Sequence, residues 1–218
     1  MGTQIAEADW KPLLAKVEAY VQQHMSQYDA SHDFKHVQRV LSLSKLILAE
    51  ETNRDLTISY NPQLIILGAL LHDIADEKYL PEGVDPTTLI QTFLLNTGFP
   101  FLLAAQVQDL VSHVSFHTEK TDPASVRAAV ERVPELKVVQ DADRLDAIGA
   151  VGIARCFVFT GAKRRTSGLD AAVEHFVEKL EVLVTMMKTA TGIEMARVRT
   201  ERLKLFRGWW EEESNVLQ

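Results

Sequence analysis

Apolar residues recur every three or four positions along almost the whole chain, and no segment sustains the alternation that is typical of a strand. In residues 9–27, for example, Leu14, Val17 and Val21 have this spacing, which places them on one face of a helix. The pattern therefore predicts an all-α fold. Because 46% of the 218 residues are hydrophobic, such a chain can bury a core without disulfides.

Helix-start and helix-stop residues divide this pattern into segments. Pro62 suits the first position of a helix, and Gly98 suits a helix end. The predicted helices cover residues 9–27, 34–49, 63–76, 87–96, 101–117, 124–132, one long helix from Pro134 to about Phe159, 169–189 and 192–212. No repeat or long linker interrupts them. We expect one domain over residues 1–218, with a core at about 20–160 and a C-terminal helical hairpin at about 169–212.

The chain is acidic, with 30 acidic and 23 basic residues and a formal net charge of −7. This balance disfavours binding to duplex nucleic acid or to an anionic membrane, although a pocket can still be locally positive. No apolar run reaches the ~18 residues of a membrane span. The single cysteine, Cys156, excludes an intrachain disulfide. We therefore expect a cytoplasmic protein that acts on small molecules.

One histidine and one aspartate are adjacent within a strongly apolar segment, LLHDIAD at residues 70–76. Burying His72 beside Asp73 is costly unless both side chains are satisfied. A divalent cation would satisfy both, since neutral imidazole and carboxylate are ligands that it accepts. The alternative is a structural hydrogen bond between a protonated histidine and the carboxylate.

A second polar group interrupts the apolar pattern at residues 138–146, VVQDADRLD. Its three aspartates are Asp141, Asp143 and Asp146, and Asp141 shares a predicted helix face with Arg144. Acidic residues near a helix start also interact favourably with the helix dipole, which is the alternative for at least one of the three.

These segments, in this order, resemble the HD superfamily of metal-dependent phosphohydrolases, whose signature is H…HD…D. The similarity covers about residues 20 to 210, and it is strongest for small stand-alone bacterial HD proteins. The matching segments are SHDFKHVQRV (31–40), ALLHDIADEKY (69–79), QDADRLDAIGAVGIARCF (140–157) and EHFVEKL (174–180). The resemblance implies a single-domain helical HD fold with four metal ligands, namely His36, His72, Asp73 and Asp141.

The ligand set implied by the resemblance leaves open positions on one divalent ion. Mn²⁺ is the first expectation, with Mg²⁺, Fe²⁺, Co²⁺, Ni²⁺ or Zn²⁺ as alternatives. A metal-bound water would attack a phosphoryl group, which the ion also polarises. Asp76 could orient or deprotonate that water, and Lys78 could neutralise phosphate charge.

Several further residues are candidates for binding the substrate. They are His113, His117, Arg144 and Lys163, the last at the start of a basic segment that continues with Arg164 and Arg165. His113 and His117 are four positions apart, whereas the extra histidines of dimetal HD enzymes usually come from separate segments. We therefore favour a substrate or proton-transfer role for this pair over a second metal.

The resemblance implies hydrolysis of a nucleotide, most specifically of a (deoxy)nucleoside triphosphate to the monophosphate and pyrophosphate. Other HD activities remain alternatives, on nucleoside monophosphates or on guanosine tetraphosphate. An HD-type di-iron oxygenase and a non-catalytic nucleotide sensor are alternatives from other classes. Trp209 and Trp210 are consistent with either a homodimer surface or a core anchor.

Overall fold

The structure is a computed structural model, and it describes residues 5–75, 80, 83–163 and 168–214. Eleven α-helices and one 3₁₀ helix form in these ranges, which contain no strand. The α-helices are α1 (Glu7–Met25), α2 (Phe34–Arg54), α3 (Pro62–Leu71), α4 (Leu89–Thr97), α5 (Phe101–Ser112), α6 (Phe116–Thr121), α7 (Pro123–Arg132), α8 (Leu136–Asp146), α9 (Gly149–Lys163), α10 (Asp170–Glu178) and α11 (Ala190–Ser214). The 3₁₀ helix is Leu180–Met186. The predicted all-α fold is confirmed.

Helices α2, α3 and α8 pack against one another and form the centre of the molecule. The side chain of Asn61 caps the start of α3, and Pro62 occupies the first turn. Most of α3 is buried, as its apolar sequence predicts. Gly68 allows α5 to pack closely, because a Cβ atom at this position would lie 2.7 Å from the side chain of Leu110.

The predicted long helix from Pro134 to about Phe159 is wrong. The chain forms α8 and α9 instead, and their axes differ by 70°. Gly149 begins α9 with φ +74°, a left-handed conformation that glycine adopts without strain. The bend directs α9 away from the line of α8 and brings Arg155 back beside Asp146.

Three other predicted helices have different ends in the structure. Helix α3 ends at Leu71, so that His72 and Asp73 follow it in a turn. The predicted helix 101–117 is divided into α5 and α6, and Ser115 caps α6 through a hydrogen bond from the Thr118 N–H. The predicted helix 169–189 ends as α10 and continues as the 3₁₀ helix.

An aromatic cluster joins the C-terminal helices. Phe157 of α9, Phe176 of α10, and Phe206 and Trp210 of α11 have ring centroids 5.6–6.3 Å apart. Trp210 also donates a hydrogen bond from Nε1 to Asp170 at 3.0 Å. Trp209, by contrast, is 58% exposed. The two tryptophans therefore have different environments, and Trp210 is the core anchor.

Within the described ranges, no single helix combines the length and the apolar character that crossing a bilayer requires. The bent pair of α8 and α9 reaches that length and composition only when its two parts are taken together.

The start of α11 packs tightly against α8. The Asp141 carboxylate accepts hydrogen bonds from the backbone N–H groups of Lys188 and Thr189 and from the Thr189 hydroxyl. Gly192 lies over the same carboxylate, and a Cβ atom there would be only 2.3 Å from Asp141 Oδ2. This contact requires a residue without a side chain.

We expect Gly192→Ala to lower the free energy of unfolding by about 1–3 kcal/mol, because the added methyl group overpacks the contact with Asp141. Gly208→Ala in the same helix is the matched control, since its Cβ atom meets nothing within 4 Å. The control should be stabilised by roughly 0.5–1 kcal/mol, as expected for alanine in a helix interior. Urea unfolding measures both values, and equal stabilities for the two variants would contradict the packing at Gly192.

Candidate metal centre

Three segments bring the predicted His36, His72 and Asp73 together with Asp143. Asp33 caps α2 and accepts a hydrogen bond from the His36 N–H, which fixes His36 in the first turn. His72 and Asp73 lie in the turn after α3, and Asp143 lies on α8. The two imidazoles are buried, whereas the side chains of Asp73 and Asp143 are 24% and 28% exposed. The carboxylates therefore form the side of the cluster that is open to solvent.

Four side-chain atoms converge at this point. The Nε2 atoms of His36 and His72 are 3.1 Å apart. Asp73 Oδ2 lies 3.3 Å from the first nitrogen and 3.4 Å from the second. Asp143 Oδ1 lies 3.7 Å from both. We call these four residues the HHDD cluster.

The spacing within the HHDD cluster suits a metal ion. Two ligands at ~2.1 Å from one ion are about 3.0 Å apart at an octahedral right angle and about 3.4 Å apart in a tetrahedron. The separations of 3.1–3.4 Å between His36, His72 and Asp73 fall in this range. These three residues could hold a metal ion, and Asp143 is close enough to be a fourth ligand after a small movement.

Hydrogen bonds determine which nitrogen of each imidazole faces the cluster. His36 Nδ1 donates to Asp146 Oδ2 at 2.8 Å, and His72 Nδ1 donates to the Ala69 carbonyl oxygen at 2.9 Å. In the neutral form of each ring, Nε2 then carries a lone pair that points into the cluster. Asp73 Oδ2 is buried without a hydrogen-bond partner among the described residues. These electron-rich atoms repel one another unless a proton or a cation lies between them.

The pKa of His36 indicates that a proton occupies this place in the metal-free protein. Burial lowers the pKa of His36, but the hydrogen bond to Asp146 and the adjacent Asp73 carboxylate outweigh it and raise the pKa to about 9. Burial raises the pKa of Asp73, but the nearby imidazoles of His72 and His36 hold it well below its usual range. Near neutral pH the metal-free cluster therefore has a protonated His36 beside an ionised Asp73.

Asp141, the fourth ligand implied by the resemblance, does not face the cluster, and Asp143 of the same helix lies there instead. The Asp141 carboxylate is fully buried and is occupied by its hydrogen bonds to Lys188 and Thr189. Two residues along a helix correspond to a rotation of about 200°, so Asp141 and Asp143 point to nearly opposite sides of α8. The role of Asp141 is to hold the start of α11.

Asp146 supports the cluster from behind, and the sequence did not indicate this role. Its carboxylate accepts a hydrogen bond from His36 Nδ1. It also accepts hydrogen bonds from Arg39 and Arg155, at 2.7 Å and 2.9 Å. Burial raises the pKa of Asp146, but these three partners hold it below its usual range, so the group is ionised. A carboxylate behind a ligating histidine orients the ring and increases its basicity. The sequence feature that could have pointed to Asp146 is its spacing of three residues from Asp143, which places both aspartates on one helix face.

Two predicted substrate residues have structural contacts elsewhere. His113 donates from Nδ1 to the Asp109 carbonyl oxygen, and its Nε2 lies 3.0 Å from the Ser125 hydroxyl, which joins α5 to α7. The buried Arg144 donates to Glu119 and to the Met186 carbonyl oxygen. The structure therefore gives both side chains a packing role rather than a place at the cluster.

The structure shows two other predicted residues at exposed positions. His117 is exposed on α6, and Lys163 is exposed at the end of α9. Asp76, Lys78, Arg164 and Arg165 lie outside the described residues.

We expect the variants Asp143→Ala and Asp141→Asn to affect different properties, metal affinity in the first and stability in the second. Asp143→Ala removes a cluster carboxylate and should lower metal affinity at least about tenfold with little change in the stability of the metal-free protein. Asp141→Asn should retain the metal but lose about 1–3 kcal/mol of stability, because an NH₂ donor replaces one of the two oxygens that accept from Lys188 and Thr189. Metal content after dialysis and thermal unfolding measure the two effects. Metal loss in Asp141→Asn without loss of stability would contradict the structural role of Asp141 and its position away from the cluster.

Metal binding at pH 7 should release about one proton per ion. His36 must lose its proton to coordinate, and its raised pKa of about 9 means that it carries that proton at pH 7 in the metal-free protein. Metal affinity should therefore increase as the pH rises from 7 towards 9. Calorimetric titration in buffers of different ionisation enthalpy counts the protons, and a count near zero at pH 7 would exclude this pairing.

Comparison with known proteins is consistent with this geometry. Residues 33–148 match the HD domain family. The uncharacterized protein YpgQ of Bacillus subtilis is 36% identical over 190 residues, covering 84% of this chain and 85% of YpgQ. The crystal structure of YpgQ in complex with ADP has a TM-score of 0.69 and 31% identity, covering 94% of this chain and 96% of that chain.

A second solved structure extends the comparison. It is an HD-superfamily hydrolase from Bacillus thuringiensis with a TM-score of 0.68 and 27% identity, covering 94% of this chain and 98% of that chain. The resemblance predicted from the sequence is confirmed by these similarities. This chain belongs to the HD domain family.

Proposed function

We propose that this protein is a metal-dependent phosphohydrolase that converts nucleoside triphosphates to monophosphates and pyrophosphate. The observation that carries the proposal is the convergence of two imidazole nitrogens and two carboxylates at one partly open point. A structural ion pair would need only one histidine and one carboxylate. The ADP complex of YpgQ supports a nucleotide as the ligand class.

The donor set fits a divalent cation, since two neutral imidazoles and two carboxylates suit Mn²⁺ and its neighbours in the first transition row. Mn²⁺ remains the first choice. When bound, such an ion supplies an acidified water and polarises a phosphoryl oxygen. His36, His72 and Asp73 would be its ligands, with Asp143 as the fourth.

Residues of the chain orient the ligands, leave a side open to the phosphate group, and position the attacking water. Asp146 holds the Nδ1 proton of His36, so that Nε2 keeps its lone pair towards the reaction centre. The exposed edges of Asp73 and Asp143 mark the side from which a phosphate group can approach. We retain Asp76 as the residue that orients the attacking water and Lys78 as a phosphate partner, because both follow the cluster directly in the sequence.

One ion per chain is sufficient for this proposal. Among the described residues, the only potential ligands found close enough to share an ion lie at the HHDD cluster, around His36, His72 and Asp73. An HD-type di-iron oxygenase would require a second set of ligands. The described part of the chain therefore favours hydrolysis over oxygenation.

The test is turnover of nucleoside mono-, di- and triphosphates with Mn²⁺, followed by identification of the released phosphate species. We expect pyrophosphate from triphosphates, and a loss of kcat/KM of at least about a thousandfold in Asp73→Asn, corresponding to several kcal/mol of metal-derived stabilisation. Asp9→Asn, at an exposed carboxylate on α1, is the matched control and should retain full activity. Undiminished turnover by Asp73→Asn would contradict the proposal, and release of orthophosphate alone would exclude the pyrophosphohydrolase reaction.

A further inference from the structure

A cavity of about 140 Å³ lies beside the HHDD cluster. It is bordered by the residues that precede α2, by one face of α9, and by the end of α10 with the residues that follow it. The side chains that matter for its chemistry are His32, Arg155, Phe159, His175 and Lys179. Among the described residues, His113, His117, Arg144 and Lys163 do not line this cavity.

The cavity and the cluster are neighbours on the two sides of His32. The rings of His32 and His36 are in edge contact, with centroids 5.9 Å apart, so His32 separates the cavity from the cluster. Arg155 donates from Nη1 to Asp146 Oδ2, the atom that also accepts the His36 Nδ1 proton. A ligand in the cavity would therefore lie one side chain away from the HHDD cluster.

Four of the ten described residues that line the cavity are of basic types, although the protein is acidic. His32, Arg155, His175 and Lys179 are all basic, and no acidic side chain lines the cavity among the described residues. The chain as a whole has a net charge of −7, so this composition is local. Arg155 is held at two points, because its Nε donates to the Ser31 carbonyl oxygen and its Nη1 donates to Asp146. A guanidinium fixed in this way loses little entropy when it binds an anion.

The size of the cavity limits what can enter it. Pockets that enclose a drug-sized ligand have volumes of about 300–1,000 Å³. The volume here is well below that range, so a whole nucleotide does not fit inside. A short phosphate chain is small, highly charged and free of apolar groups, and it matches both the volume and the basic lining.

We infer that this cavity binds the β- and γ-phosphates of a nucleoside triphosphate and then the pyrophosphate that leaves, while the base remains outside. The inference rests on the proposed function, because it requires the α-phosphate to lie at the HHDD cluster. The water oxygen bonds to the α-phosphorus as the bond from that phosphorus to the α–β bridging oxygen breaks. The bridging oxygen keeps the electron pair and takes one water proton, and the second proton is released to solvent. The products are a nucleoside monophosphate and hydrogen pyrophosphate.

This placement predicts which parts of the substrate determine recognition. Contacts with the β- and γ-phosphates are lost when a monophosphate or a simple monoester replaces the triphosphate. Changes in the base should matter little, because the base has no place in the cavity.

Lys179 is the most suitable residue for a test, because no hydrogen bond or ion pair of the described residues joins it to the HHDD cluster, and its amino group packs 5.0 Å from the centroid of the Phe116 ring. The probe is inorganic pyrophosphate, titrated calorimetrically into the full-length protein, once metal-free and once with excess Mg²⁺. Lys179→Met should weaken pyrophosphate binding about tenfold or more, as expected for loss of one charge-assisted contact. Lys179→Arg, which keeps the charge, should largely restore it.

Lys16→Met, at an exposed lysine on α1, is the matched control and should bind pyrophosphate as the unmodified protein does. The inference is overturned if the unmodified protein does not bind pyrophosphate, or if Lys179→Met binds it equally well. If that happens while triphosphates are still hydrolysed, the proposed function stands and only the cavity assignment fails. If pyrophosphate binds in a Lys179-dependent manner but no nucleotide is hydrolysed, the proposed function and the leaving-group role fail together.

Discussion

The main constraint on the site is electrostatic repulsion. Two imidazole nitrogens lie 3.1 Å apart and face two carboxylates. A positive charge at the centre relieves that repulsion, either the proton on His36 or a metal ion. The elements that carry these atoms are α2, the turn after α3, and α8, and their apolar faces form the central packing of the domain. Core packing therefore holds the ligands in place before any ion arrives, which reduces the cost of ordering them on binding.

Asp146 connects this cluster to the rest of the site. A buried carboxylate is costly unless it is paired, and Asp146 is paired with His36, Arg39 and Arg155. Because Arg155 also lines the basic cavity, one carboxylate orients a cluster histidine and fixes a cavity cation at the same time. Any change in the position of Asp146 would alter both the HHDD cluster and the cavity lined by Arg155.

Much of the site could be predicted from the sequence, but the choice among the three aspartates of α8 could not. His72 and Asp73 interrupt an apolar segment, and His36 follows from the family pattern, so their predicted proximity is confirmed. Helix α8 is different, because all its residues except Lys137 and Asp143 are buried. Burial on almost every side of α8 means that Asp141 and Asp143 are equally acceptable as cluster residues until the neighbouring helices are known.

The cavity could not be predicted from the sequence, because its lining residues come together only in the folded chain. It is formed by residues from about position 31 to about position 180, and none of its basic side chains belongs to a continuous charged segment. What brings them together is the 70° bend at Gly149, which turns α9 back across the end of α8. Without that bend, Arg155 would continue along the line of α8, two and a half turns beyond Asp146 and out of its reach. A single left-handed glycine thus places Arg155 between the cavity and the cluster of carboxylates.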